Sequence, residues 1–451
     1  MLKKIFSHAL IFLLVFVIIS LIADIYYYNR VIQKGPNGKG QISFSDFRVF
    51  RFASYNIRHH RMMVPQIEGG AYTFEHFWFL KSESRKTACP SYLLGGRKYT
   101  VYNKSEKFYH YRYSPFVAFA MIPFSMPFHQ GHSLAAWYIL LNVAFISSLL
   151  LLTYKVSGAF SLDRNKRYFI MWGVFLFSLR FYLINISLGQ SDILIALFFS
   201  LFLVAYVQGK DIFCGILLAL ILQFKLLFLP LLVYFVFIGK RKLVISAVIS
   251  FISLLFMPAY MLGFEKNVSL LRDWYDILSI SIPSQILNTK NESIAYAIGS
   301  FISQFGFVKS VFRPEHVIYF LSVTLTLLVY TSLLWIRRFI KKINWEEFKH
   351  VEVSLLILTA LIFSPIAWKS HFINSVVPLS VALAVGIKMK ERRQFYTALG
   401  IFFLLSCVIG TDLTGFIPQL ESSVFPNISI GMLFLGYTLI NAYARLKNTN
   451  T

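Results

Sequence analysis

Acidic residues are scarce in this chain: 20 Asp and Glu stand against 44 Lys and Arg in 451 residues, a formal net charge of +24. Charge of either sign is thin too, at 14% of residues, whereas 57% are apolar. That balance excludes a soluble multidomain protein, which needs a far more polar surface. Cysteine is nearly absent. Cys89, Cys214 and Cys407 stand in three unrelated contexts, which rules out a disulfide framework and a thiolate metal site. The chain also lacks a P-loop, a dinucleotide-binding glycine pattern, a zinc ligand set and a nucleophile elbow. Internal repeats, heptads and low-complexity tracts are missing as well.

What the sequence does have is apolar runs of membrane-span length from end to end. The expected fold is therefore all-α and polytopic, a single membrane domain over 1–451 whose helices satisfy their own backbones. Lys and Arg cluster in short loops between runs, where the positive-inside rule places them in the cytoplasm. The positive charge thus points to membrane lipids and a phosphate-bearing lipid substrate, and away from nucleic acid. The first run, 5–28, follows Lys3 and Lys4, is too long for a signal peptide and lacks a small-residue cleavage site, so it reads as an uncleaved span. It delivers the chain to a long outer loop, 29–132. Within it, the stretch 115–128, broken by Pro115, Pro123 and Pro127, is expected to lie along or dip into the outer interface.

Further spans are expected near 133–154, 168–186 and 193–208. The run 212–239 has cytoplasmic charge at both ends and Lys225 near its middle, which predicts two shortened helices meeting at a lysine at membrane depth. Spans near 243–262, 316–336, 352–368, 371–388, 395–411 and 427–444 bring the total to about twelve. A second outer loop falls at 263–315, and both termini are expected in the cytoplasm.

Polar groups gather at the outer ends of these spans. Asp46, in SDFRVFRFA (45–53), suits a general base, since a carboxylate beside aromatic walls is partly desolvated; it equally suits an exposed loop acid or a helix cap. Asp24, at the outer end of the first span, is its rival. Lys225 needs an anionic partner such as a lipid phosphate, unless it snorkels to the interface. His371 lies beside Trp368 and Lys369 in FSPIAWKSHF (363–372), and can donate to a phosphate oxygen, shuttle a proton or cap a helix end. Gln190 and Asp192, in SLGQSD (187–192), can bind a sugar or join neighbouring helices. Asn291-Glu292-Ser293 fits a glycosylation sequon, a triplet that is common by chance. Arg48, Arg51, Arg58 and Arg112, with Tyr111 and Tyr113, make a basic and aromatic patch. There rings pack on sugars and guanidinium groups take phosphate, although interfacial anchoring uses the same residue types.

Taken in order, SDFRVFRFA, GRKYTVYN (96–103) with YRYSPF, SLGQSD, LQFKLLFLPLL (222–232), NESI and SPIAWKSHF resemble glycosyltransferase family 87, polytopic enzymes of the GT-C superfamily. The resemblance implies a helical membrane core with outer loops and interfacial helices around the site. It also implies a polyprenyl-phosphate-linked sugar donor, most often mannose, and inverting transfer that gives an alpha linkage. Asp46 falls on the family's catalytic aspartate and His371 on its late histidine, while Gln190, Lys225 and Asn291 match other motif positions. Segment 59–95 looks inserted, and Glu292 stands where the family usually has glutamine.

The expected activity is transfer of a hexose from a polyprenyl-phosphate donor to a lipid or glycan acceptor at the outer face of the cytoplasmic membrane, without metal or cofactor. In this scheme Asp46 and His371 carry the chemistry, and Lys225, Arg48, Arg112 and Lys369 hold the donor phosphate. Gln190, Asp192, Tyr113, Asn291, Glu292 and Trp368 bind substrate. A lipid-linked saccharide flippase is the competing expectation from another class, and an oligosaccharide polymerase or ligase the competing enzyme. Transporters often carry internal repeats and polar residues at mid-membrane, whereas here the polar groups gather at one face.

Overall fold

A computed structural model describes residues 11–22 apart from 13, 47, 50, 53–54, 113–125, 130–288, 291–305, 312–339, 345–388, 393–408 and 426–448, with six short strands between 32 and 102. Asp24, Asp46, Arg48, Arg51, Arg58, Tyr111 and Arg112 lie outside these residues.

The chain opens with α1 (14–22). Three antiparallel hairpins follow: β1 (Ile32–Lys34) with β2 (Gly40–Ile42), β3 (Ile67–Glu68) with β4 (Ala71–Tyr72), and β5 (Ala88–Leu94) with β6 (Arg97–Tyr102). The first loop thus adds short strands to an otherwise helical protein, in stretches such as RKYTVY whose aromatic and β-branched residues favour a pleat. The helices then run α2 (Pro115–Ala120), α3 (Ile122–Ser125), α4 (Gln130–Ala159), α5 (Arg164–Leu188), α6 (Asp192–Val207), α7 (Asp211–Phe224), α8 (Leu229–Phe237), α9 (Arg241–Phe256), α10 (Ala259–Leu262), α11 (Phe264–Ile286), α12 (Ile294–Ile302), α13 (Pro314–Phe339), α14 (Trp345–Phe363), α15 (Val376–Lys388), α16 (Arg393–Phe403) and α17 (Asn427–Asn448).

Burial sorts these helices by depth. The apolar window in Lys369–Lys388, which includes α15, is 100% buried, against 17% for that of α9 and 22% for that of α13. A helix apolar all round belongs in the middle of a bundle, and one with a single packed stripe belongs at its lipid-facing edge. Accordingly α15 packs on α4, α5, α14 and α17. Among the described residues, five helical segments are long and apolar enough to cross a membrane: His132–Ala159, Arg164–Leu188, Arg241–Leu262, Pro314–Arg338 and Lys369–Lys388. Asp192–Val207, Asp211–Phe224, Leu226–Phe237 and Asn427–Asn441 are apolar but shorter, below the roughly 20 residues that a hydrocarbon core requires. These segments are those of a polytopic membrane protein, and the expected count of about twelve spans is not reached by the five.

The lysine-centred run folds as two short helices. α7 ends at Phe224, Lys225 is extended, and α8 follows a 3-10 turn (Leu226–Phe228) with Pro230 in its first turn, where a missing N–H costs little. At the far ends of the pair Lys240 Nζ reaches Asp211 at 3.0 Å, so the chain doubles back at Lys225. α7 lies hard against α9: a Cβ on Gly215 would stand 2.4 Å from the Leu243 carbonyl oxygen, an approach open only to a residue without a side chain.

Part of the stretch expected to lie along or dip into the outer interface is buried against protein. Pro115, Phe116, Val117 and Ala118 of α2 are buried, and α2 rests on α7, α9 and α11. The Ser114 N–H donates to the Gln223 carbonyl at 3.4 Å. Because α7 is short, the apolar α2 finds protein at its end.

Candidate active site

The site is built on the turn between α5 and α6. α5 closes at Gly189, whose φ of +61° is left-handed, and the Gln190 N–H returns to the Asn185 carbonyl at 2.9 Å, a Schellman-type ending. Asp192 then opens α6, where the helix dipole favours a carboxylate. Its side chain is fully buried, and Oδ2 accepts from Lys225 Nζ at 3.0 Å, while the Lys225 side chain is 11% exposed. Asp192 Oδ1 has no hydrogen-bond partner among the described residues. A carboxylate this deep is tolerable only beside its cation. An ammonium carries three N–H donors, and Asp192 takes one. Asp192 therefore anchors Lys225 through Oδ2.

His371 sits on a 3-10 turn, Lys369–Ser375, that follows α14. It is buried, and its turn packs on α6, the helix that Asp192 opens. The Trp368 N–H donates to His371 Nδ1 at 3.3 Å, which leaves Nε2 to carry the proton and donate outward. Two buried asparagines fix this turn. Asn374 Nδ2 donates to the His371 carbonyl at 2.8 Å, and Asn185 Nδ2, from α5, donates to the Ser370 carbonyl at 2.9 Å. Trp368 and Lys369 stand half-buried where the turn begins.

Asn291 supports this turn from behind. Its Nδ2 donates to the carbonyls of Ile286 at 3.1 Å and Pro365 at 2.8 Å, and its Oδ1 accepts from the N–H groups of Ser293 at 3.1 Å and Ala367 at 2.9 Å. That is the full capacity of an amide side chain, so none is left for a sugar. The Glu292 N–H adds a bond to the Ala367 carbonyl at 2.8 Å. The sequon reading also fails here, since Asn291 is 5% exposed and its nitrogen is engaged.

An aromatic wall faces the Gly189 turn. Phe47 stacks on Trp137 with ring centroids 6.1 Å apart, and Phe50 meets Trp137 at 6.0 Å and Tyr113 at 4.6 Å. Trp137 Nε1 donates to the Gly189 carbonyl at 3.1 Å, and Tyr113 Oη to Gln190 Oε1 at 3.4 Å. Phe47, Phe50, Ala53 and Ser54 are helical and buried, at the three-to-four spacing of one helix face. A Cβ on Gly189 would lie 2.8 Å from Phe47 Cβ. The residue that follows Asp46 in the chain is thus seated on the turn that ends in Asp192.

The sequence profile of glycosyltransferase family 87 matches residues 111–365, more than half of the chain. The chain belongs to glycosyltransferase family 87. A comparison with curated proteins returns no match. The family 87 match takes in Tyr113, Gln190, Asp192, Lys225, Asn291 and Glu292, and it ends before Trp368, Lys369 and His371. Asp46 and Arg48 precede it. For this family 87 glycosyltransferase, then, the structure pairs Asp192 with Lys225, packs the His371 turn on the helix that Asp192 opens, pairs Tyr113 with Gln190, and spends the Asn291 amide on backbone groups.

Sequence reasoning passed over other polar residues at depth. Arg180 of α5 is buried, and its Nη1 donates to the Ser406 carbonyl at 2.8 Å in a π-helical stretch, Leu404–Val408. Glu352 of α14 is fully buried and bonded to Arg337. Asn185 ties α5 to the histidine turn. The signal was available, because an ionisable residue inside an apolar run marks a built contact.

Proposed function

We propose that this glycosyltransferase moves one hexose, mannose by the motif resemblance, from a polyprenyl-phosphate donor to a hydroxyl of a lipid or glycan acceptor on the extracytoplasmic side of the cell membrane. The observation that carries the reading is the Lys225–Asp192 pair, with the His371 turn packed on the helix that Asp192 opens. A cation held at a helix break, with donors to spare and a histidine N–H alongside, suits a phosphate that gains charge as it leaves.

The acceptor oxygen attacks the anomeric carbon from the face opposite the phosphate, and Asp46 takes the hydroxyl proton. The bond from that carbon to the phosphate oxygen breaks, and its electron pair departs with the phosphate. Configuration at the carbon inverts, which gives the alpha linkage. Lys225 and the His371 Nε2–H stabilise the leaving phosphate, with Arg48, Arg112 and Lys369 as further cations. Because phosphate is already a competent leaving group, neither a metal nor a covalent intermediate is required. The seat of Phe47 on Gly189 supports Asp46 as the base.

At the opposite helix ends, ion pairs join Asp211 to Lys240, Glu352 to Arg337 and Glu347 to Lys388. Such ties speak for a site that opens to one side, and against the alternating access of a flippase. The test uses the purified chain in liposomes with radiolabelled polyprenyl-phosphate mannose and an extract of membrane lipids and glycans from cells lacking the protein. Label should enter a product with the wild type and not with Asp46→Asn, at equal expression. Near wild-type turnover in that variant overturns the base, and donor crossing the bilayer with no new glycosidic bond makes the protein a flippase.

A further inference from the structure

Glu352 is fully buried and gathers three donors from three other helices. Glu352 Oε2 accepts from the Tyr206 hydroxyl at 2.8 Å, and Oε1 accepts from the Tyr234 hydroxyl at 2.6 Å and from Arg337 Nη1 at 2.7 Å. Tyr206 is on α6, Tyr234 on α8, Arg337 on α13 and Glu352 itself on α14. The first, second and fourth of these helices each bear a site group at the other end. Asp192 opens α6, Lys225 stands just before α8, and the His371 turn follows α14. From Tyr206 to Asp192 the distance along α6 is about 21 Å.

Stability alone does not account for this arrangement. A buried ion pair is often no more stable than apolar side chains of similar volume, because desolvation of both charges offsets their attraction. What apolar packing lacks is direction. Two hydroxyls and a guanidinium aimed at one carboxylate fix the rotation and height of three helices against a fourth, which loose contacts between leucines do not.

We infer that Glu352 is a positioning residue for the Lys225–Asp192–His371 group, setting its geometry from the opposite end of the bundle. The inference rests on the functional reading above only for its effect on transfer. Its effect on the site itself is readable without any substrate. Lys225 is nearly enclosed against Asp192, so a small membrane-permeant amine-acylating reagent should label it slowly in the solubilised full-length chain, with the modified peptide quantified by mass spectrometry.

Glu352→Gln keeps an acceptor for the hydroxyls and loses the charge that holds Arg337. The double variant Tyr206→Phe with Tyr234→Phe frees α6 and α8 and keeps their packing. Both should raise Lys225 labelling several-fold and lower kcat with polyprenyl-phosphate mannose by on the order of 10- to 100-fold, the effect of a displaced catalytic group, with little change in KM. Leu399→Ala, a buried truncation on α16, should lower the melting temperature comparably and leave Lys225 labelling and kcat per folded molecule unchanged. Wild-type labelling in both folded Glu352-network variants, or equal labelling in the Leu399→Ala control, overturns the inference. If the wild-type chain transfers no sugar, the functional reading falls by itself and the labelling still decides this one.

Discussion

Asp192 and Lys225, 33 positions apart in the chain, share an ion pair of 3.0 Å in which the acid is wholly enclosed and the base retains a narrow opening. In the proposed reaction the acid orients the base, and the base meets the donor phosphate. Lys225→Met strands a charge on buried Asp192 and is expected to cost about 3–5 kcal/mol, read as a lower unfolding midpoint in detergent. Adding Asp192→Asn should recover most of that stability. Sugar transfer should stay lost in the double variant, because the ammonium is gone.

Gly189 offers a sharper test of the turn. Gly189→Ala forces a Cβ against Phe47 at 2.8 Å on a backbone with φ of +61°, and left-handed strain alone costs about 1–2 kcal/mol. Gly209→Ala is the control, since its φ is +71° and nothing lies within 4 Å of the added carbon. Similar losses of thermal stability are expected from strain in the two variants. Only Gly189→Ala should also depress the rate of transfer, because it alone shifts the residue next to Asp46.

Asn291→Ala deletes four side-chain hydrogen bonds, two of which tie Asn291 to Pro365 and Ala367. Each buried backbone group left unpaired costs about 1–3 kcal/mol, so a large loss of stability is expected, with kcat falling as the His371 turn loosens. The mass of the wild-type protein should show no glycan at this asparagine when it is expressed in a glycosylating host. A glycan found there would contradict the buried placement of Asn291.

His371→Ala removes the N–H aimed from Nε2 and should lower kcat about 100-fold, the usual toll of losing one donor to developing charge. His371→Gln keeps an N–H and is expected to retain more activity than the alanine variant. Steady-state kinetics with the labelled donor separate the two.

Much of the fold was legible in advance. The helical break at Lys225 followed from basic residues at both ends of one apolar run, which left the chain no course but to turn back. Less was legible at 115–128, where apolar composition and prolines describe a surface helix and a buried one alike; the short α7 decides between them. The site residues divide the same way. Lys225 announces itself as a charge inside an apolar run, and Arg180 and Glu352 carry a similar mark, but the partners that hold all three lie on other elements and leave no local pattern. Nothing in NESI distinguishes an amide that binds sugar from one spent on the backbone of Pro365 and Ala367.

The sequence by itself determined that this protein lives in a membrane, since side chains so apolar over so many runs cannot stay hydrated, and its motifs in their order gave the family. Only the tertiary structure decided which polar groups pair with one another. Asp192 meets Lys225 across 33 residues, and Asn291 meets Ala367 across 76. Contacts at such separations are fixed by how helices pack, and no local pattern of residues encodes them.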